Sequence, residues 1–213
     1  MTTQKRAALI ERKTTETEIR LDLSLDGNGD SSVRTGVAFF DHMLTLFTRH
    51  GLMELTVEAK GDIEVDYHHT VEDVGIALGQ AFAKALGNKA GIRRYGHAYV
   101  PMDEALVRVV VDCSGRPFLA YEAPRGVEAI GLFPFQLVEE FLRALAVNAG
   151  LTLHVSILAG RDAHFRDMDA GASGMLDGTL DTTVGCRVFP ARRACCEPFP
   201  QDRSCRLRER ESP

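Results

Sequence analysis

The chain has 213 residues, 45% of them hydrophobic and 26% charged, and a formal net charge of -5. That length and composition suit one large or two small soluble domains, and the acidic balance offers no basic surface for nucleic acid or anionic lipid. No apolar run approaches the roughly 18 residues of a membrane helix, and the N-terminal residues lack a signal-peptide core, so a cytoplasmic protein with no membrane or nucleic-acid partner is expected. In chain order, residues 14–25 alternate, with Ile19, Leu21, Leu23 and Leu25 on one face, and predict a half-buried strand. The turn Asp26-Gly27-Asn28-Gly29-Asp30 then predicts a hairpin, with residues 32–37 returning beside that strand. Asp41 is the expected N-cap of a helix from about His42 to His50, with Gly51 as its stop. Residues 55–59 predict a short strand, 63–66 a further extended piece, and 70–86 a helix with Val71, Val74, Leu78, Phe82 and Ala85 on one face.

A second series of elements follows. Strands are expected over 105–112 and 118–122, a helix over 135–149 stopped by Gly150, and a strand over 151–158. The run Arg49-His50-Gly51-Leu52 and the run Asn148-Ala149-Gly150-Leu151 both lead from a helix end into a strand. Each half then reaches a histidine, His68 or His164, so the chain reads as a duplicated α/β unit. The expected divisions are a first repeat over 1–90, an incomplete second repeat over 91–164, and a divergent, poorly ordered tail over 165–213. Four of the five cysteines, Cys186, Cys195, Cys196 and Cys205, lie in that tail, so Cys113 stands alone before it and no disulfide framework is expected.

The stretch with most chemistry is Asp66-Tyr67-His68-His69-Thr70-Val71-Glu72-Asp73. If a helix begins here, Glu72 shares a face with one or both histidines. Neutral imidazole and carboxylate are the usual ligands of a borderline divalent ion such as Mn, Fe, Co or Zn. The cluster supplies two or three donors, so a complete site needs others from elsewhere. The order His-His-x-x-Glu differs from the zincin pattern and from its inverse, which argues against a hydrolytic zinc enzyme.

Several motifs taken together carry a resemblance. Phe39-Phe40-Asp41-His42-Met43-Leu44, His50-Gly51, Gly61-Asp62 and His68-His69-Thr70-Val71-Glu72-Asp73-Val74 are followed by Gly91-Ile92-Arg93-Arg94-Tyr95-Gly96. Pro101-Met102-Asp103-Glu104, Ser114-Gly115-Arg116-Pro117 and Leu151-Thr152-Leu153-His154-Val155 complete the series. From about Arg12 to His164 the chain resembles the imidazoleglycerol-phosphate dehydratase family. The resemblance implies an α+β fold of duplicated α/β sandwich halves, like domain 2 of ribosomal protein S5, with sheets packed on helices. It implies dehydration of imidazole glycerol phosphate to imidazole acetol phosphate in histidine biosynthesis, on a small phosphorylated imidazole substrate. It implies a homo-oligomer, a 24-subunit shell in the family, with two manganese ions (Mn2+) per site and sites completed by neighbouring subunits.

Carried over by motif, the metal ligands are His42, His68, His69 and Glu72, with Glu140 and His164 as second-half donors. His69, Glu72 and Glu16 form the catalytic set; Glu16 is the acid/base carboxylate and also touches substrate. Arg94 and Arg116 take the substrate phosphate through bidentate, permanently charged contacts. The implied chemistry is coherent: divalent ions on the ring nitrogens favour an imidazolate that expels the hydroxyl as water, while a carboxylate shuttles the proton.

The resemblance stops abruptly. A second His-His-x-x-Glu is expected where the chain reads His164-Phe165-Arg166-Asp167-Met168, and Phe165 and Met168 are not ligands for manganese. The family's Glu-His-Phe-Phe is Glu139-Glu140-Phe141-Leu142 here, and its C-terminal serine-lysine phosphate motif is missing. No lysine follows Phe165, although arginine is frequent there. A shifted reading frame accounts for this pattern, and translating the coding DNA from codon 164 in the other two frames tests it. The alternative to an active enzyme is therefore a catalytically defective chain that keeps part of the fold. Other residues have plainer expectations. His50 is a helix C-terminal cation, His154 a core or interface residue, and Asp103-Glu104 a strand cap or an orienting pair behind a ligand.

Overall fold

The computed structural model describes residues 6–123 and 129–160. The first half contains β1 (Ala7–Lys13), β2 (Thr17–Ser24), β3 (Ser31–Arg34), α1 (Ala38–Gly51), β4 (Glu54–Gly61) and α2 (His68–Leu86). The second contains β5 (Tyr95–Met102), β6 (Ala105–Asp112), β7 (Phe118–Glu122), β8 (Ala129–Ile130), β9 (Phe133–Pro134), α3 (Gln136–Ala149) and β10 (Thr152–Ala159). The strands form two four-stranded sheets, ordered β1-β2-β4-β3 and β5-β6-β10-β7, plus the small β8-β9 pair. The architecture is α+β in two sheet-and-helix halves.

The duplication extends to register. Ala7 pairs with Ser24 as Tyr95 pairs with Asp112; Ser24 pairs with Glu54 as Asp112 pairs with Thr152. In both halves the last pairing is parallel: Ser31 lies opposite Leu55, and Leu119 opposite Leu153. The connection from the third strand to the helix differs, taking residues 35–37 in the first half and 123–135, with the β8-β9 pair, in the second. That longer connection brings Phe133 against Phe39 and Phe40 of α1, with ring centroids 5.1 and 6.4 Å apart. His164 and the tail cysteines lie outside the described residues.

Alternation in β2 and β4 turns Leu21, Leu23 and Val57 inward to complete burial. Each such side chain contributes about 1.5–3 kcal/mol relative to exposure. Helix α2 packs on β1, β2 and β4 with one face and on α3 with the other. Two glycines make the helix contact close: a Cβ on Gly79 falls 2.7 Å from Asn148 Cβ and 2.8 Å from the Leu145 carbonyl oxygen, and one on Gly75 falls 2.9 Å from Ala144 Cβ.

Several expectations are corrected. Strand β3 does not return beside β2; it runs parallel to β4, and β2 sits between β1 and β4. A permissive turn sets the chain reversal but not the partner, and here β4 has the free edge. Asp41 is not the N-cap of α1, which begins earlier, after Val37. Its carboxylate instead accepts from the Thr35 amide (2.8 Å) and hydroxyl (2.6 Å), which pins the entering loop. Gly51 is the last residue of α1 rather than its stop; Leu52 takes the left-handed conformation, φ 50°. Residues 63–66 form a turn, closed by Val65 N–H to the Asp62 carbonyl oxygen at 2.8 Å, and not a strand. Of the core or interface role expected for His154, the core alternative falls, because Leu153 and Val155 face inward and His154 outward; its ring lies 5.9 Å from that of Phe118. Asp103 and Glu104 are the two-residue turn of the β5-β6 hairpin, Asp103 at φ 49°. Strands β1 and β5, both at sheet edges, were not anticipated.

Candidate functional site

The first turn of α2 holds the cluster. Asp66 Oδ1 accepts the His68 amide at 2.7 Å, satisfying one of the free donors of the helix start. That fixes His68 and Glu72 one turn apart, with Nε2 and Oε2 separated by 3.5 Å. The rings of His68 and His69 are nearly perpendicular, with centroids 5.9 Å apart.

His69 turns toward the end of β4. Its Nδ1 lies 3.0 Å from Asp62 Oδ2, and this hydrogen bond, more than any other influence, raises the imidazole pKa above its ordinary 6.5. Gly61 permits the approach: a Cβ there falls 2.1 Å from Thr70 Oγ1. Asp62 did not emerge as a site residue from the sequence. The adjoining Gly-Asp and His-His motifs were its signal, but nothing local joins a strand end to a helix start seven residues on.

Glu16 sits in the turn between β1 and β2, where Thr14 Oγ1 accepts from the amides of Glu16 (3.2 Å) and Thr17 (2.9 Å). A hydrogen bond from the Thr15 side chain, assisted by the charge of His69, holds its carboxyl below the usual range. Asp73 anchors this turn to α2. Its Oδ1 accepts from Arg12 Nε (2.9 Å) and a terminal guanidinium nitrogen (2.7 Å), and its Oδ2 accepts from Thr17 Oγ1 at 2.5 Å. Asp73 was also missed, being only the last letter of the motif that carries His68 and Glu72.

The two arginines meet at Asp112, the last residue of β6. Arg94 donates to both its oxygens, at 2.6 and 3.0 Å, and Arg116 approaches to 3.8 Å. Arg94 Cζ also lies 4.8 Å from the centre of the Tyr95 ring. The Arg94 hydrogen bonds hold the Asp112 carboxyl below its ordinary value. Both guanidiniums stay accessible, Arg116 the more so, and can receive an anion on their outward edges.

His42 is the fifth residue of α1, and Glu140 is the fifth residue of α3, the same place in the duplicate. Likewise Glu16 directly precedes β2 and Glu104 directly precedes β6. Among the described residues, however, no three His, Cys, Asp or Glu side chains converge as a metal site. The donor types fit a borderline divalent ion, and His68 with Glu72 makes one two-donor edge. The number of donors falls short, so completion needs groups from another copy of the chain or from outside the described residues. No helix among the described residues is long and apolar enough to cross a membrane.

Two register-matched halves, with an imidazole-carboxylate cluster at one helix start and paired arginines at a strand end, define a duplicated α+β chain with an anion-accepting, acid/base-capable surface. The family model for imidazoleglycerol-phosphate dehydratase matches residues 35–169. The chain is 59% identical over 155 residues to the imidazoleglycerol-phosphate dehydratase of Acetivibrio thermocellus, covering 73% of this chain and 80% of that protein. It is 62% identical over 161 residues to that of Moorella thermoacetica, covering 75% and 81%. The crystal structure of the Staphylococcus aureus dehydratase is similar with a TM-score of 0.69 at 39% identity, over 80% of this chain and 96% of that one. The Pyrococcus furiosus structure, in complex with (S)-C348, gives 0.67 at 32% identity, over 79% and 90%. The chain belongs to the imidazoleglycerol-phosphate dehydratase family, hydro-lyases of histidine biosynthesis.

Proposed function

We propose that this chain dehydrates imidazole glycerol phosphate to imidazole acetol phosphate, with manganese at the α2 cluster and as a cytoplasmic homo-oligomer. The supporting observation is the Asp62–His69 hydrogen bond at the same helix start as the His68–Glu72 edge, in a chain of this family. Arg94 and Arg116 bind the substrate phosphate, held side by side by Asp112. Glu16, ionised at neutral pH, is in the form that accepts a carbon-bound proton. A divalent ion held at the α2 cluster would favour loss of the ring N–H proton, and the resulting imidazolate would push electrons outward to release the hydroxyl on the carbon attached to the ring. His42, His68, His69 and Glu72 are its proposed ligands from the first half, Glu140 and His164 from the second, with further donors from neighbouring subunits.

A second reading, a catalytically defective chain, rests on a specific observation: the family match ends at residue 169 of 213, and the second ligand motif is broken at Phe165 and Met168. Turnover of imidazole glycerol phosphate with added Mn2+, against a His69→Ala control, separates the two. Turnover abolished by the substitution supports the enzyme. Absent turnover together with one or no bound manganese per subunit supports the defective chain.

A further inference from the structure

The mechanism above leaves Asp62 without a function, and its surroundings assign one. The loop after β4 turns back so that Asp62 Oδ2 meets His69 Nδ1 at 3.0 Å. Its other oxygen, Oδ1, is buried and has no hydrogen-bond partner among the described residues. The imidazole is thus the one described side chain to which this carboxylate is hydrogen bonded. The approach is built in by packing, since Gly61 leaves room for Thr70 and the loop is closed by the Asp62 carbonyl oxygen on the Val65 amide.

We propose that Asp62 is a positioning residue that fixes the tautomer and the ring plane of His69. An ionised carboxylate can only accept hydrogen bonds, so the facing nitrogen must carry the proton. A neutral His69 then keeps Nδ1–H toward Asp62 and presents the lone pair of Nε2 outward. Free histidine favours the opposite tautomer, with the proton on Nε2, so the loop reverses an intrinsic preference. A carboxylate behind an imidazole also makes the exposed nitrogen a better donor to a divalent cation. This second consequence rests on the proposed metal role of His69; the tautomer does not.

Nitrogen-15 NMR tests the tautomer directly. Long-range proton–nitrogen spectra of the apo protein are recorded above the imidazole titration, with the His69 signals identified by their loss in His69→Gln. Wild type is expected to show a protonated Nδ1 and an unprotonated Nε2, and Asp62→Ala the reverse. Asp62→Asn, whose amide oxygen still accepts, is expected to keep the wild-type pattern. A proton on Nε2 in the wild type overturns the proposal without any variant having to fold. Titration with Mn2+ alone supplies the second arm. Asp62→Ala is expected to weaken binding about 10–100-fold, with His69→Ala as the reference for loss of the ligand. Unchanged Mn2+ affinity in Asp62→Ala, despite a reversed tautomer, overturns the ligand-tuning role. Absence of Mn2+ binding in the wild type counts against the metal reading of the site and against that same role, while the tautomer result is read independently.

Discussion

Loss of Asp73 should destabilise the first half, because this carboxylate ties β1 and β2 to α2. It is 8% exposed and accepts three hydrogen bonds, two from Arg12 on β1 and one from Thr17 on β2, so a single carboxylate joins two strands to α2. In Asp73→Asn the shape is kept, but the charge is lost and one amide N–H2 must face a donor. Hydrogen bonds to charged groups are worth about 1.5–3 kcal/mol each, and orphaning one member of a buried ion pair costs about 3–5 kcal/mol. The Arg12 side chain retains 29% exposure, so water can partly replace its partner. A loss of about 2–4 kcal/mol is expected, or roughly 5–15 °C in Tm for a domain of this size. Urea denaturation followed by circular dichroism measures it. The double variant Arg12→Met/Asp73→Asn should lose less than the sum of the two single changes, by about 1–3 kcal/mol. A loss below about 0.5 kcal/mol for Asp73→Asn, or strict additivity in the cycle, refutes the reasoning.

Three other outcomes are expected. Gly61→Ala should cost about 1–3 kcal/mol through overpacking against Thr70, and Thr70→Ala in the same chain should recover part of it; thermal denaturation of the four proteins reads this. The hydrogen bond that His69 donates to Asp62 raises the His69 pKa, so its contribution to stability is full below 6.5 and fades as pH rises through the higher folded value; the Tm gap between wild type and His69→Gln should shrink over that window. Cys113 is buried and burial pushes its thiol pKa up, so iodoacetamide should leave it unmodified in the native protein and label it after denaturation, as read by peptide mass spectrometry.

Legibility followed locality. Strands β6 and β7 match their expected spans residue for residue, and α3 differs at one end only, because their apolar periods are written in contiguous residues. The edge strands were silent for the same reason in reverse. In β1 only Ile10 is buried, amid Glu, Arg and Lys, and β5 carries Gly96 and Pro101; both become strands by pairing with a neighbour along one side. The His68–Glu72 edge was readable from helical spacing alone. The Asp62–His69 and Asp73–Arg12–Thr17 contacts were not, since each joins separate elements through the tertiary fold. His154 shows the intermediate case: the strand was anticipated, and the inward facing of Leu153 and Val155 decides which side it takes.

The unequal connections between third strand and helix give the two repeats distinct identities. Residues 35–37 bridge that gap directly, whereas residues 123–135 carry Phe133 across to the aromatic rings of α1. A gene encoding the first repeat twice could reproduce both sheets, yet its product would have no side chain reaching over in that way. The modules have ceased to be exchangeable cassettes, since swapping one for the other would remove the Phe133 ring contacts that supplement the α2–α3 packing between them.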